Sequence, residues 1–261
     1  MDMKNHRTAG SQTPGIERQQ TFSRPSSLGP QLAFTLIELL TVISIIAVLA
    51  ALTFPVLKGI KRRQYLNNAQ AEMAQLETAI DRYKAAYGFY PPDNTTNVLV
   101  NQLYFELLGT TIVTNSSGQV AYQSLDDPTI QVPMASVSLV FGPGSSIGGF
   151  MNCTRPGASE DVRPAQSFLP NLKADQVSVF TNNFPNNKVP IKLIITSVGG
   201  PDSTYYPLGP NALGINPWRY NSSTPTNNPG GYDLWIQLSI AGRTNLICNW
   251  NQRVQFNSTL P

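Results

Sequence analysis

From Phe34 to Leu57 the chain is apolar at nearly every position, with one charge, Glu38, in 24 residues. At about 1.5 Å per residue this predicts roughly 36 Å of helix, enough for a bilayer core of about 30 Å. It is too long for the 7–15-residue apolar region typical of a secretory signal. After Lys58, Lys61, Arg62 and Arg63 the pattern becomes periodic. Leu66, Ala69, Met73, Leu76, Ile80, Tyr83 and Tyr87 recur at alternating spacings of three and four, the stripe of an amphipathic helix packing against a core. Gln70, Glu77, Asp81 and Lys84 fall on its opposite, solvated face. Gly88 and Pro91-Pro92 end the helix. Pro55 is expected to bend or locally melt it. Beyond, 99–108 reads as a short helix ending at Gly109, and Val137–Phe141, Val177–Thr181, Ile191–Val198, Tyr232–Ile240 and Asn245–Trp250 read as strands. Residues 142–175 and 199–230, rich in Pro, Gly and Asn, are expected to be long surface loops, and no internal repeat is visible.

Composition removes several classes of function. Formal charge is +3 at pH 7, but the excess lies in the polar segment 1–33 and the cluster at 58–63. Residues 64–261 hold 10 basic and 12 acidic groups, with no electrostatic footprint for nucleic acid. His6 is the only histidine and lies before the apolar run. The folded part therefore lacks the imidazole of Ser-His or Cys-His catalysis and of most zinc sites. The run Gly142–Gly149 lacks the Lys-Ser/Thr of a phosphate loop, and Asp126-Asp127 before Pro128 is turn chemistry. No catalytic residue, metal or cofactor is expected. Trp218, Trp235 and Trp250 are read as core or sheet-cover residues in preference to a carbohydrate platform.

Glu38 sits one turn into the helix, where the N-terminal dipole favours a carboxylate. The string Ala33-Phe34-Thr35-Leu36-Ile37-Glu38-Leu39-Leu40 resembles the cleavage and methylation site of type IV prepilins and type II secretion pseudopilins. The resemblance implies that a prepilin peptidase cuts between Ala33 and Phe34 and methylates the new amino terminus at Phe34. It also implies that Glu38 neutralises the amino terminus of a neighbouring subunit, two buried charges being tolerable together where each alone is costly. Pro55 matches a proline common in these helices. Ala33 departs from the family, which usually has Gly before the cut.

Further on, Tyr83, Gly88, Tyr90 and Pro91 resemble the end of the major-pseudopilin helix, with Gly88 as a left-handed cap and Tyr90 folded back. Asn216-Pro-Trp218-Arg-Tyr220, Gly231-Tyr-Asp-Leu-Trp235 and Asn249-Trp250 are similar to motifs of the pseudopilin head. The stretch Ser239–Cys248 corresponds to a calcium loop of that family, but it has no carboxylate, so no calcium is expected there. With the head outside the cytoplasm, Cys153 and Cys248 are expected either to form one disulfide or to remain two buried thiols.

The expected fold is α+β and pilin-like, a long N-terminal helix packed on a small antiparallel-sheet head with long loops. Residues 1–33 form a leader that is removed, 34–57 the transmembrane and filament-core helix, 58–90 its amphipathic continuation, and 91–261 a periplasmic head. The resemblance implies a filament subunit in the bacterial inner membrane, most like a secretion pseudopilin. Its partners would be the peptidase, other subunits, an assembly platform and its ATPase. The alternatives are a minor pilin or pseudopilin, and an anchored binding or adhesion domain that does not polymerise.

Overall fold

The fold is seen in a computed structural model that describes residues 34–143, 149–157, 163–184, 187–198, 207–240 and 242–256, without the side chains of 53–59 and 182–187. The expected leader, and Ala33 with it, lies outside the described residues. The chain divides into two compact units, residues 1–52 and 53–261. Helix α1 (Leu36–Tyr87) begins in the first and ends in the second, continuing as one helix through position 55. The expected melting at Pro55 is therefore not seen.

In the second unit the predicted stripe is the buried one. Ala69, Leu76, Ala79, Ile80 and Tyr83 lie in the main core, with Leu66, Met73 and Tyr87 packed against it. The helix stops at the expected glycine. Gly88 adopts φ +85° and donates its N–H to the carbonyl of Lys84 at 2.7 Å, a left-handed conformation that glycine adopts without a Cβ penalty. Tyr90 turns back so that the Lys84 ammonium sits 3.9 Å from its ring centroid.

The head is more divided than the single small sheet expected. Strands β1 (Thr110–Thr114), β2 (Val120–Ser124), β3 (Gln131–Pro133) and β4 (Cys153–Thr154) form one sheet in the order β3-β2-β1-β4, with β4 parallel to β1. Strands β5 (Val177–Phe184) and β6 (Asn187–Ile194) form a hairpin. Strands β7 (Arg219–Asn221), β8 (Asp233–Ile240), β9 (Arg243–Cys248) and β10 (Asn251–Phe256) form an antiparallel sheet in the order β10-β9-β8-β7. The first sheet is tied to the hairpin by Lys192 of β6, whose Nζ lies 2.8 Å from Asp127. That ion pair and the hydroxyl of Thr129 hold the Asp127 carboxyl down to about 2.

Several sequence expectations need correction. Val137–Phe141 is not a strand but a short helix, α3. Its buried positions 137, 140 and 141 have helical spacing, which a five-residue apolar run does not make evident. Helix α2 starts at Leu103 and not at Leu99. The side chain of Asn101 accepts from the N–H of Leu103 at 3.3 Å and donates to the carbonyl of Val98 at 3.0 Å, holding the preceding turn out of the helix. The stretch 142–175 is not all surface loop, since it carries β4 and buried Phe150, Asn152, Phe168 and Leu169. The stretch 199–230 likewise carries β7 and buried Trp218 and Tyr220.

Cys153 and Cys248 are free, buried thiols, the second of the two outcomes set out above. Cys153 sits in the first sheet, in the main core, whereas Cys248 packs with Trp235 and Leu246 in a separate cluster of the second sheet. Thiol titration of the unreduced, denatured chain is expected to find two reactive cysteines; none would restore the bridge.

Candidate functional site

The start of α1 is built on a reciprocal pairing. Thr35 precedes the first helical residue, and its hydroxyl accepts from the N–H of Glu38 at 3.3 Å. Oε2 of Glu38 in turn accepts from the N–H of Thr35 at 2.9 Å and from its hydroxyl at 2.7 Å. This is a capping box, satisfying backbone donors that a helix start leaves unpaired. The spacing Thr-x-x-Glu is its sequence signature, and reading Glu38 alone missed the part played by Thr35. Among the described residues, Oε1 of Glu38 accepts no hydrogen bond, so one oxygen of the carboxylate stays open to a further donor.

The helix that follows hides its polar groups and shows its apolar ones. The hydroxyls of Thr41 and Ser44 donate back to the carbonyls of Glu38 and Leu40, at 2.9 and 2.7 Å. Leu36, Ile37, Leu39, Ile45, Ile46 and Leu49, which together point all round the helix, are each more than half exposed. A helix that is apolar on all sides is stable only in lipid or among other helices. No helix is, over its described residues, long and apolar enough to cross a membrane. Positions 36–52 supply only about 26 Å, and the side chains of 53–59 lie outside what is described.

Where α1 meets the head, a buried polar cluster replaces apolar packing. Glu106 of α2 is fully buried. Its carboxylate accepts from the hydroxyl of Tyr83 at 2.9 Å and from the N–H groups of Met151 and Asn152 at 2.9 and 3.0 Å. The side-chain amide of Asn152 donates to the carbonyls of Glu106 and Gln166, and its oxygen accepts from the hydroxyl of Tyr87. Burial pushes the Glu106 carboxyl up to about 7, against the pull of its three donors. A second helix carboxylate, Glu72, accepts from the Thr196 hydroxyl at 2.9 Å and from the N–H and hydroxyl of Ser197. Sequence reading missed both. The signal available for Glu106 was a lone carboxylate inside Leu103-Tyr-Phe-Glu-Leu-Leu108.

The loop that resembles the pseudopilin head is shaped by two more buried carboxylates. Asp93 accepts from the N–H groups of Ser222 and Ser223. Asp233 accepts from those of Thr226, Asn227 and Asn228 at 2.9 Å each. Asn249 exchanges hydrogen bonds with the backbone of Leu234 and donates to the carbonyl of Tyr232, fastening the turn between β9 and β10 to β8. In the segment Ser239–Cys248, where no calcium is expected, β8 pairs antiparallel with β9 and Ile240 lies opposite Arg243. Among the described residues no three His, Cys, Asp or Glu gather as metal ligands. Trp218 and Trp235 are buried, and Trp235 meets Trp250 edge-on at 5.8 Å, which makes them packing residues. The clefts beside Phe180, about 430 and 440 Å³, are lined by apolar side chains, Thr and Asn, with no acid or base among the described residues.

The family comparison falls on the start of this helix. A family described as the prokaryotic N-terminal methylation motif matches residues 29–54. The chain is similar to the type II secretion system core protein G of Escherichia coli (strain K12), 42% identical over 64 residues, which is 24% of this chain and 44% of that protein. It is similar to the protein of the same description in Aeromonas hydrophila, 37% identical over 73 residues, 28% of this chain and 51% of the relative. The counterpart in Pectobacterium carotovorum subsp. carotovorum is 41% identical over 61 residues, 23% of this chain and 39% of the relative. The matches thus span about half the length of these relatives or less. No solved structure matches the chain significantly. The methylation motif and these relatives support a pseudopilin or pilin-like protein.

Proposed function

We propose that the chain is a structural subunit of a pilus-like filament, most like a type II secretion pseudopilin. It is made with residues 1–33 as a leader, cut between Ala33 and Phe34 by a prepilin peptidase and methylated on Phe34. It is then held in the inner membrane by residues 34–57, with its head in the periplasm. The observation that carries this reading is the helix start, apolar on all sides and opened by a capping carboxylate with one unused oxygen. Such a helix has no stable place in water. Leaving the lipid requires that it exchange acyl chains for equivalent helices of other subunits. At the start of that helix the free oxygen of Glu38 is placed to take the amino terminus of a neighbour, a charge-assisted bond of the strong kind. The energy of extraction would come from an ATPase acting through an inner-membrane platform.

Intact-mass and N-terminal peptide analysis of membrane-extracted protein tests the processing step. The expected result is a chain beginning at Phe34 and carrying one extra methyl group. A chain that retains residues 1–33 would mean that Ala33 is not accepted before the cut. The protein would then be an anchored domain and not a filament subunit.

A further inference from the structure

From Leu39 to Ala71, and again from Leu234 to Pro261, the sequence contains no Asp or Glu. The fold brings these two acid-free stretches together. Arg62 on α1 donates from Nη2 to Oδ1 of Asn245 at 3.1 Å, and its guanidinium lies 4.9 Å from the ring centroid of Phe256. Asn245 in turn donates to the carbonyl of Arg243 at 2.9 Å, which ties the start of β9 to the same contact. Lys61 and Arg63 flank Arg62 and are exposed, as are Arg243, Ile60 and Phe256. Among the described residues no carboxylate pairs with any of the four cations, and Nε of Arg62 is buried without a partner.

We propose that Lys61, Arg62, Arg63 and Arg243 form one site for anionic phospholipid headgroups, with Ile60 and Phe256 meeting the outer edge of the acyl region. This rests on the membrane reading of residues 34–57. Lys61 follows the end of that span by about 6 Å of helix, inside the roughly 8 Å over which a charge is felt at physiological salt. Arg243 lies far away in sequence and is linked to Arg62 through Asn245, whose side chain bonds both. A flat anionic surface suits the arrangement better than a flexible polyanion. The remainder of the chain from Gln64 on carries more acidic than basic groups, and an extended polyanion would have to run across it. Each basic side chain near an anionic leaflet is worth about a five-fold preference.

The test uses the full chain reconstituted in phosphatidylcholine vesicles, with spin-labelled phosphatidylglycerol or phosphatidylcholine as reporter. Lipid held by the protein gives a motionally restricted spectral component, and the ratio between the two reporters gives headgroup selectivity. The expected result is selectivity for phosphatidylglycerol that falls about five-fold in Arg243→Gln and further in Lys61→Gln/Arg63→Gln, and that high salt removes. Lys173→Gln, an exposed substitution elsewhere in the head, is expected to leave it unchanged. Equal restriction of both reporters, or selectivity indifferent to Arg243, overturns the site while leaving the membrane reading intact. Absence of a restricted component with either reporter means that the chain does not insert, and both readings fall together.

Discussion

Glu38→Ala is expected to leave the chain in the membrane fraction and to remove it from filaments. One role of this side chain is seen, the cap, and the other is proposed, the pairing with a neighbour; their magnitudes separate them. As a cap, the carboxylate satisfies the backbone of Thr35, and its loss costs about 1 kcal/mol of helix-start stability. That cost alone does not unseat a helix held by lipid. For insertion the change is favourable, since a carboxylate within the bilayer costs up to about 3 kcal/mol and less near its edge. In the filament proposed above the loss would leave a neighbour's buried ammonium without its partner, about 3–5 kcal/mol, so incorporation should fall at least about a hundredfold. Glu38→Gln divides the two roles, because glutamine can close a capping box but carries no charge. Filament yield measured by shearing and cross-linking, against membrane-fraction yield, should be as poor for Gln as for Ala. Recovery with Gln would assign Glu38 to capping and remove the charge from the assembly argument.

Removing the buried carboxylate of the head has the larger effect on stability. Glu106→Ala strands the N–H groups of Met151 and Asn152 and the hydroxyl of Tyr83 in the core. The expected cost is about 4 kcal/mol in denaturant unfolding. The native carboxyl also makes stability depend on pH. In the unfolded chain it titrates near the ordinary value of 4.5, and in the folded one near about 7. Below about pH 4.5 both states hold the proton and the contribution is complete. As pH rises through about 7 the unfolded state loses its proton first, so about 3 kcal/mol is given up. Unfolding free energies at pH 4.5 and pH 8 should therefore differ by more in the native chain than in Glu106→Gln. Equal differences would mean that the three donors hold Glu106 ionised throughout.

Much of α1 is legible in the order of its residues. Its stripe repeats every three or four residues, Gly88 and the prolines close it, and the same spacing that defines the helix defines its buried face. The motif around Phe34 and Glu38 is local in the same sense, and the distance of Thr35 from Glu38 marks the capping box. The strands are most legible where they are buried and long, as in β8, and the start of β5 shows through its alternating Val177, Val179 and Thr181. Strand β10, Asn251–Phe256, gives no such signal, because an edge strand exposed along most of its length shows no alternation. The hairpin of β1 and β2 is hidden by a turn, Asn115–Gln119, that reads as any polar loop. In the structure the Asn115 side chain accepts from the N–H groups of Ser117 and Gln119 and makes that turn specific.

The long helix, its apolar first half, its head-facing stripe and the resemblance that follows from them are all written in local sequence, because they depend on neighbours within one or two turns. Which carboxylates are buried, that the two cysteines lie in different sheets, and that Arg62 is bonded to Asn245 are matters for the folded chain alone. Those outcomes depend on contacts between residues tens to nearly two hundred positions apart. The free energy of each is set by what the fold removes from water around it, a quantity that no local pattern of residues encodes.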